Sequence, residues 1–481
     1  MTDKYGDSRN SAFGAIDWWT ILIYLLLVLM GWVSIYAAVF NEEHASMFDI
    51  SQKYGSQIIW IGICVFLAVS ILLIDAKYYH YFAYPFYAIM IVVLLGVLVF
   101  GTEVNGARSW FQIGPFRLQP AEFAKFTTAL ALAKYMSSYD FSIHDWRKVA
   151  GMLAIMGIPM LIVLAQNDTG SALVYTSFLF MLYREGFNKW VYVVLGMIVF
   201  LFVFSFLLEP ETLLFLILFA VVIGEGLTNG FWREKVVYLA VVVLVWLLEL
   251  LFYALFFDGH ADTYLSLVIA VVLSLPLVFV YAFRYQLRNI WLFFGLFFGA
   301  LLFSLSVDYV FNDLMQVHQQ KRILDLLGLE SDVKGWGYNV NQSKIAIGSG
   351  GLFGKGFLQG TQTKYDFVPE QSTDFIFCTI GEEWGFIGSA LVVALFTVLI
   401  FRLMRMGDRQ QDAFGRVYCY GVASIFAFHV LVNIGMTIGI VPVIGIPLPF
   451  FSYGGSSLLA FTILLFVALR LDSARQESSS L

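Results

Sequence analysis

Apolar residues run along this chain in blocks of about twenty, separated by short clusters of charge, glycine and proline. An α-helix needs ~20 such residues to cross a hydrocarbon core ~30 Å thick at ~1.5 Å per residue. The blocks lack the apolar–polar alternation of a transmembrane strand. Only helices and closed barrels satisfy every backbone polar group in lipid, so the pattern predicts helices. Fourteen spans are predicted, near 17–40, 57–74, 82–100, 119–136, 150–166, 169–184, 189–207, 212–228, 235–257, 263–283, 289–306, 374–402, 415–440 and 450–470. The pair around Gln166–Gly170 is short and reads as a broken or re-entrant helix. The even count puts both termini on one side.

The rhythm is interrupted by residues 307–373, a connection far longer than the turns elsewhere, and long connections of this kind are functional or disordered. Within it, "MQVHQQKRILDLLGL" (315–329) has helical apolar spacing with basic residues, as expected of a helix lying on a membrane surface. "IGSGGLFGKGFLQGTQ" (347–362) is glycine-rich, which permits sharp turns and close backbone approach. Its interleaved Ile347, Leu352, Phe353, Phe357 and Leu358 predict a docked loop in place of a floppy tether.

Composition agrees: 60% of the 481 residues are apolar, 13% are charged, and mean hydropathy is +0.80. The class is an all-α polytopic membrane protein. The first apolar block follows a polar leader without a small-residue cleavage site, so it reads as a retained helix. With the N terminus in the cytoplasm, most Lys and Arg fall in cytoplasmic connections, among them Lys134, Arg147, Lys148, Arg184, Arg233, Arg284, Arg288, Arg402, Arg405 and Arg409. Both termini are therefore predicted to be cytoplasmic and 307–373 external. A net charge of −6 without basic runs excludes a nucleic-acid partner. Cys64, Cys378 and Cys419 are odd in number and scattered, with neither disulfide nor metal spacing.

An ionisable group at bilayer depth is a functional candidate, and four polar groups stand out at external span ends. In "VNGARSWFQIGPFRLQPAEFAKF" (104–126), Glu122 and Lys125 are three apart on one helix face, either a self-neutralising pair or a substrate site. Arg108 and Trp110 offer a cation and a ring, suited to a phosphate and a sugar. Asp168 in "QNDTGSAL" reads first as a helix cap. Lys344 lies in "NQSKIAIGSGG", upstream of "FVPEQSTDFIF" (367–377), where Asp374 follows Thr373 in the predicted first turn of a helix. Glu382 and Glu383 are expected ~12 Å further along that helix. The last group, "NIGMTIGIVPVIGIPLPFFSYGGSS" (433–457), joins two spans and breaks the start of the final helix at Ser452 and Gly454.

That last group resembles the signature of the SEDS family, the shape, elongation, division and sporulation membrane glycosyltransferases. "GARSWFQIGPFRLQPAEFAK", "QSKIAIGSGGLFGKGFLQGTQ" and "VPEQSTDFIFCTIGEEWGFIG" resemble three further family blocks in the same order. The wording of Gln342–Ile347 and Gly360–Gln362 is closest to the elongation branch. The resemblance covers roughly 1–186 and 289–472. Family members usually have ten spans, which implies a ten-helix core with a four-helix insert. The expected division is a tail at 1–16, core at 17–186, insert at 187–288, core at 289–472 and a tail at 473–481. Two departures are that Ser372 stands where the family often has histidine, and that "VHQQKRI" replaces the usual lead into the loop.

The resemblance implies a peptidoglycan glycosyltransferase that polymerises lipid II at the outer face of the bacterial inner membrane, during elongation and rod-shape maintenance. A pyrophosphate leaving group needs cations and no general acid, whereas the acceptor hydroxyl needs one base. Asp374 is the expected base. Arg108, Trp110, Glu122, Lys125, Lys344, Thr373, Ser452 and Gly454 are the expected substrate-binding residues. A divalent cation, Mg2+ or Mn2+, is expected with the phosphates, its ligands unassigned, and no organic cofactor. Expected partners are lipid II, a class B penicillin-binding transpeptidase and other membrane proteins of the elongation complex. A lipid II flippase or another transporter is the alternative, because broken spans and intramembrane charges fit that class too. The chain shows no internal repeat, however, and its polar groups gather at one face.

Overall fold

The computed structural model describes residues 16–40, 46–104, 106–114, 116–229, 232–256, 263–285, 290–315, 317–327, 337–365 and 367–479. Residues 1–15, 480 and 481, which belong to the expected tails, lie outside them. The chain divides into two compact units, 1–187 with 331–481, and 188–330.

The first unit opens with α1 (Trp18–Val39), α2 (Lys53–Leu73) and α3 (Ala76–Phe100). Strands β1 (Thr102–Val104), β2 (Ala107–Ile113) and β3 (Phe116–Leu118) then pair antiparallel in the order β1-β2-β3. Helices α4 (Pro120–Met136) and α5 (Trp146–Ala165) follow, then α6 (Thr169–Val174), a 3-10 turn at Tyr175–Ser177 and α7 (Phe178–Arg184). The second unit holds α8 (Lys189–Leu207), α9 (Pro210–Asn229), α10 (Trp232–Phe256), α11 (Thr263–Tyr285), α12 (Ile290–Tyr309) and α13 (Val317–Leu326). The chain returns to the first unit with α14 (Tyr338–Ser349), the single turn α15 (Thr361–Lys364), α16 (Ile376–Glu383), α17 (Gly385–Arg409), α18 (Ala413–Thr437) and α19 (Gly455–Ser479).

Ten described helices are long and apolar enough to span a membrane, so this is a multi-pass membrane protein. Fourteen spans were predicted, and two of those predicted, 119–136 and 169–184, depart from a simple span for physical reasons. Helix α4 is only 17 residues long and carries Glu122, Lys125 and Lys134. The 169–184 block is broken by its 3-10 turn. The predicted span 374–402 is two helices, because Gly385 takes φ +66° between α16 and α17. The purely helical expectation also missed the sheet, where Gly106 and Gly114 turn at φ +82° and +62°. Helix α19 runs on to Ser479, through the expected tail.

The second unit has its own core, including Leu213, Leu214, Leu218, Val242, Leu267 and Val271. It contains α12, which the sequence reading grouped with the core beyond 289. Lys235 and Glu225 pair at 2.6 Å. Glu249, within the apolar run of α10, has one buried carboxyl oxygen without a partner among the described residues.

In the first unit, ion pairs gather at one end of the helices. Asp17 pairs with Arg402, Asp472 with Arg409, Asp408 with Arg184, and Glu185 with Arg416 at 2.9 Å. At the opposite end, the 443–453 segment packs down onto α1. Tyr24 meets the edges of Phe450 (5.0 Å) and Phe466 (5.1 Å). Gly31 makes this approach possible, since a Cβ there would stand 2.6 Å from the Phe450 carbonyl oxygen and 2.7 Å from the Phe451 Cα.

Gly31→Ala is therefore expected to destabilise the protein by an overpacking cost of ~1–3 kcal/mol. Gly62→Ala, where nothing lies within 4 Å of the new Cβ, is expected to stabilise it by up to ~1 kcal/mol through helix propensity. Thermal melting of the detergent-solubilised variants checks both signs; a Gly31→Ala midpoint at or above wild type refutes the close-approach role.

Candidate active site

The end of the first unit opposite the ion pairs is where the polar candidates meet. Asp374 does not lie in a helix. It sits in the turn 369–375, two residues before α16 begins. That turn is held residue by residue. Gln371 Nε2 donates to the carbonyls of Ala38 and Thr363, each at 2.8 Å. Lys53 Nζ donates to Ser372 Oγ at 2.9 Å and lies 5.9 Å from the Tyr453 ring centroid. Tyr453 N donates to the Ser372 carbonyl (2.8 Å), and Ser452 Oγ to the Thr373 carbonyl (2.6 Å). Ser452 Oγ also accepts from Leu448 N at 2.8 Å. Asn433 Nδ2 donates to the carbonyls of Asp374 (2.9 Å) and Ile446 (2.8 Å).

Two carboxylates flank Asp374. Glu370, at φ +55°, accepts from Thr373 Oγ1 at 3.0 Å. Asp168 caps α6 through Ser171 N (3.0 Å) and accepts from Gln119 Nε2 (2.8 Å). Gly170 brings that cap close, since its Cβ would stand 2.6 Å from the Ile444 carbonyl oxygen. The next residue, Gly445, is at φ +75°, and its Cβ would lie 3.3 Å from Asp374 Oδ2. Asp374 is half-buried, and its carboxyl oxygens accept no hydrogen bond among the described residues. Burial, then the Glu370 charge, then that of Asp168, push this carboxyl up to about 7.

The expected cations are distributed unevenly. Arg108 is exposed on β2, and its backbone N donates to the Gln166 carbonyl at 3.0 Å, two residues before Asp168. Trp110 is half-buried on the same strand. Lys344 is exposed on α14, which is tied to α18 by Ser343 Oγ donating to the Thr437 carbonyl at 2.9 Å; its side chain lies across Gly439. Gly454 N reaches only to 3.5 Å from Gln57 Oε1. Glu122 and Lys125 are not at the surface. They are 2% and 1% exposed and pair at 2.8 Å, and Lys125 Nζ also lies 3.0 Å from His429 Nε2. Sequence reasoning missed Lys53, Gln119 and His429. A basic residue opening a span, an amide before a Pro-initiated helix and a histidine inside an apolar block were their only signals.

Glu382 and Glu383 hold the glycine-rich loop. Glu382 is fully buried and accepts from the amides of Thr361 (2.8 Å), Gln362 (2.9 Å) and Thr363 (3.0 Å), and from Lys355 Nζ (2.7 Å). Burial alone would raise its pKa, but these donors outweigh it and hold the carboxyl below its ordinary value. Glu383 accepts from Leu358 N at 3.1 Å, and burial with the Glu382 charge raises it to about 7. The glycine-rich loop is thus docked, as its apolar residues predicted, by carboxylates of α16.

The cell cycle protein model of FtsW, RodA and SpoVE matches residues 17–214 and 208–477, running through the 187–288 segment. The chain is 34% identical over 453 residues to the peptidoglycan glycosyltransferase RodA of Treponema pallidum, covering 92% of this chain and 94% of the relative. It is 30% identical over 443 residues to the peptidoglycan glycosyltransferase MrdB of Escherichia coli K12, covering 92% and 89%. Among solved structures, a chain described under "structural coordination of polymerization and crosslinking by a peptidoglycan synthase complex" superposes with a TM-score of 0.59 and 26% identity, over 96% of this chain and 98% of that one.

Glu382→Gln removes the charge that three amides share. Hydrogen exchange at the amides of residues 361–363 is expected to rise at least about tenfold, the loss of one charge-assisted bond. Glu383→Gln should accelerate the Leu358 amide and leave 361–363 protected. Unchanged protection of 361–363 in Glu382→Gln would show that the loop docks without this carboxylate.

Proposed function

Since the chain belongs to the FtsW, RodA and SpoVE family, and is a peptidoglycan glycosyltransferase like its named relatives, we propose that Asp374 is its general base and lipid II its substrate. One observation carries this reading: a carboxylate held through its own backbone carbonyl, with no hydrogen-bond donor on its oxygens among the described residues, and raised to about 7. A base is most effective when its pKa lies near the working pH.

The chemistry follows from the two reacting groups. The acceptor sugar hydroxyl gives its proton to Asp374 as its oxygen attacks the donor's anomeric carbon. The bond from that carbon to the pyrophosphate oxygen breaks, and the electron pair leaves with the pyrophosphate. No acid is needed for such a leaving group, but its charge must be met. Arg108 and Lys344 are exposed cations suited to that contact, with Trp110 beside Arg108 as a sugar platform. Thr373 and Ser452 act on the turn carrying Asp374. Among the described residues no three His, Cys, Asp or Glu side chains converge as metal ligands. A divalent cation accompanying the substrate would take its ligands mainly from phosphate oxygens and water.

We place Asp374 at the outer face of the bacterial inner membrane, with both termini in the cytoplasm. The gathering of Arg184, Arg402, Arg409 and Arg416 at the opposite helix ends supports that orientation. The relative named RodA supports a role in elongation. The solved complex that couples polymerisation to crosslinking supports a class B penicillin-binding transpeptidase as partner. An apolar groove of about 690 Å³ along α16, α17 and α18, lined by Phe377, Phe386, Ala390, Val393, Ile434 and Ile438, suits the single membrane helix of such a partner.

Asp374→Asn is expected to leave a folded protein that makes no glycan from purified lipid II, a loss of at least about 100-fold for removal of a general base. Gel analysis of radiolabelled product decides it, and polymerisation near the wild-type rate removes Asp374 from the chemistry.

The pH profile provides a second check. A base must be ionised, so the rate should fall as pH drops through about 7. Glu370→Gln removes a charge that raises Asp374, so the acid limb should move to lower pH. An unmoved or upward-moving limb contradicts the assignment of that limb to Asp374.

A further inference from the structure

The buried pair Glu122 and Lys125, and the histidine that Lys125 meets, form a closed chain of contacts. Glu122 Oε2 and Lys125 Nζ are 2.8 Å apart, Lys125 Nζ and His429 Nε2 3.0 Å, and His429 Nδ1 and the Pro447 carbonyl oxygen 3.0 Å. All three side chains are at most 2% exposed. The partners fix the tautomer. An ammonium only donates, so Nε2 must accept and carries no proton. A carbonyl only accepts, so the imidazole N–H is at Nδ1 and donates to Pro447. Phe461 closes the assembly, its ring 5.2 Å from Lys125 Nζ and edge-on to His429 at 4.8 Å.

The far end of this chain of bonds is the wall of the active site. Pro447 follows Ile446, whose carbonyl is held by Asn433, and lies two residues beyond Gly445, which abuts the Asp374 carboxylate. His429 and Asn433 are four apart on α18 and therefore share a face. Together they grip two consecutive carbonyls of the 443–450 segment, and Asn433 also grips Asp374. We infer that His429 is a positioning residue for the glycosyl transfer: it conveys the fixed geometry of the Glu122–Lys125 pair to Pro447, and so sets Gly445 against Asp374. On this view the ion pair does not touch the substrate. Lys125 supplies the donor that a neutral, buried imidazole needs, and Glu122 balances the charge this introduces. The inference rests on Asp374 as the general base.

The test compares His429→Leu, His429→Gln and His429→Asn in steady-state polymerisation of lipid II by the detergent-solubilised protein. Misplacing a base by ~1 Å costs ~100-fold. His429→Leu should lower kcat by about that factor with KM within about threefold of wild type. A glutamine amide can accept from Lys125 and donate to Pro447 at once, so His429→Gln should recover to within about tenfold of wild type. Asparagine, one methylene shorter, reaches only one partner and should stay about as slow as leucine. Wild-type kcat in His429→Leu overturns the inference, as does an equal loss in His429→Gln and His429→Asn. Should His429→Leu fail to yield folded protein, the ratio of Gln to Asn decides alone. If Asp374→Asn is inactive while every His429 variant keeps wild-type kcat, only the positioning role falls. If Asp374→Asn is active, the general-base premise falls and takes this inference with it.

Discussion

A single carboxamide sets the active end of the molecule. Asn433 uses both hydrogens of its Nδ2, one on the carbonyl of Asp374 and the other on that of Ile446. The turn before α16 and the segment before α19 are otherwise separate pieces of chain. Burial of unpaired backbone carbonyls at this depth would cost ~1–3 kcal/mol each. Asn433 removes that cost by joining the two pieces, and Ser452 and Tyr453 add a second seam. The reactive group is fixed through its main chain, which leaves its side-chain oxygens free for chemistry.

That freedom has an electrostatic consequence. A carboxyl raised from its ordinary 3.8 to about 7 binds its proton more tightly in the folded protein than in the unfolded chain. Between those values the folded state holds more protons, so the contribution of Asp374 to stability declines as pH rises across that window. Glu382, one helix away, has the opposite sign. Its pKa is held down, so its contribution is present above its ordinary value and is lost as pH falls through the depressed one. The base is poised at the expense of stability while the carboxylate that docks the loop adds to it.

Much of this was legible in the sequence because lipid imposes a simple rule on the chain. Apolar blocks of spanning length gave the class and most helices, and polar residues at their ends singled out Asp374, Lys344, Arg108 and the 433–457 segment. What was hidden depended on partners distant in sequence. "TDFIFCTIGEEWGFIG" reads as one continuous helix, and its interruption is decided by Glu382 binding a loop some twenty residues upstream and by Gly354 packing onto Gly385. His429 was missed, since its meaning comes from Lys125, 304 positions away. The sheet was missed because three short strands carry too little periodicity to compete with the helical pattern around them.

The interruption at Gly385 also has a mechanical meaning. A continuous rod from 376 to 409 would turn as one body, and any roll or tilt imposed on it by the bilayer would swing the turn at 369–375. The left-handed glycine breaks that rod, and the loop over Glu382 and Glu383 binds both pieces, its Gly351 and Leu352 carbonyls accepting from Phe386 N (2.9 Å) and Ile387 N (3.2 Å) in the first turn of α17. The joint is a splinted elbow: one loop holds both arms, and the angle between the membrane part of this segment and the turn that carries the carboxylate is set by it.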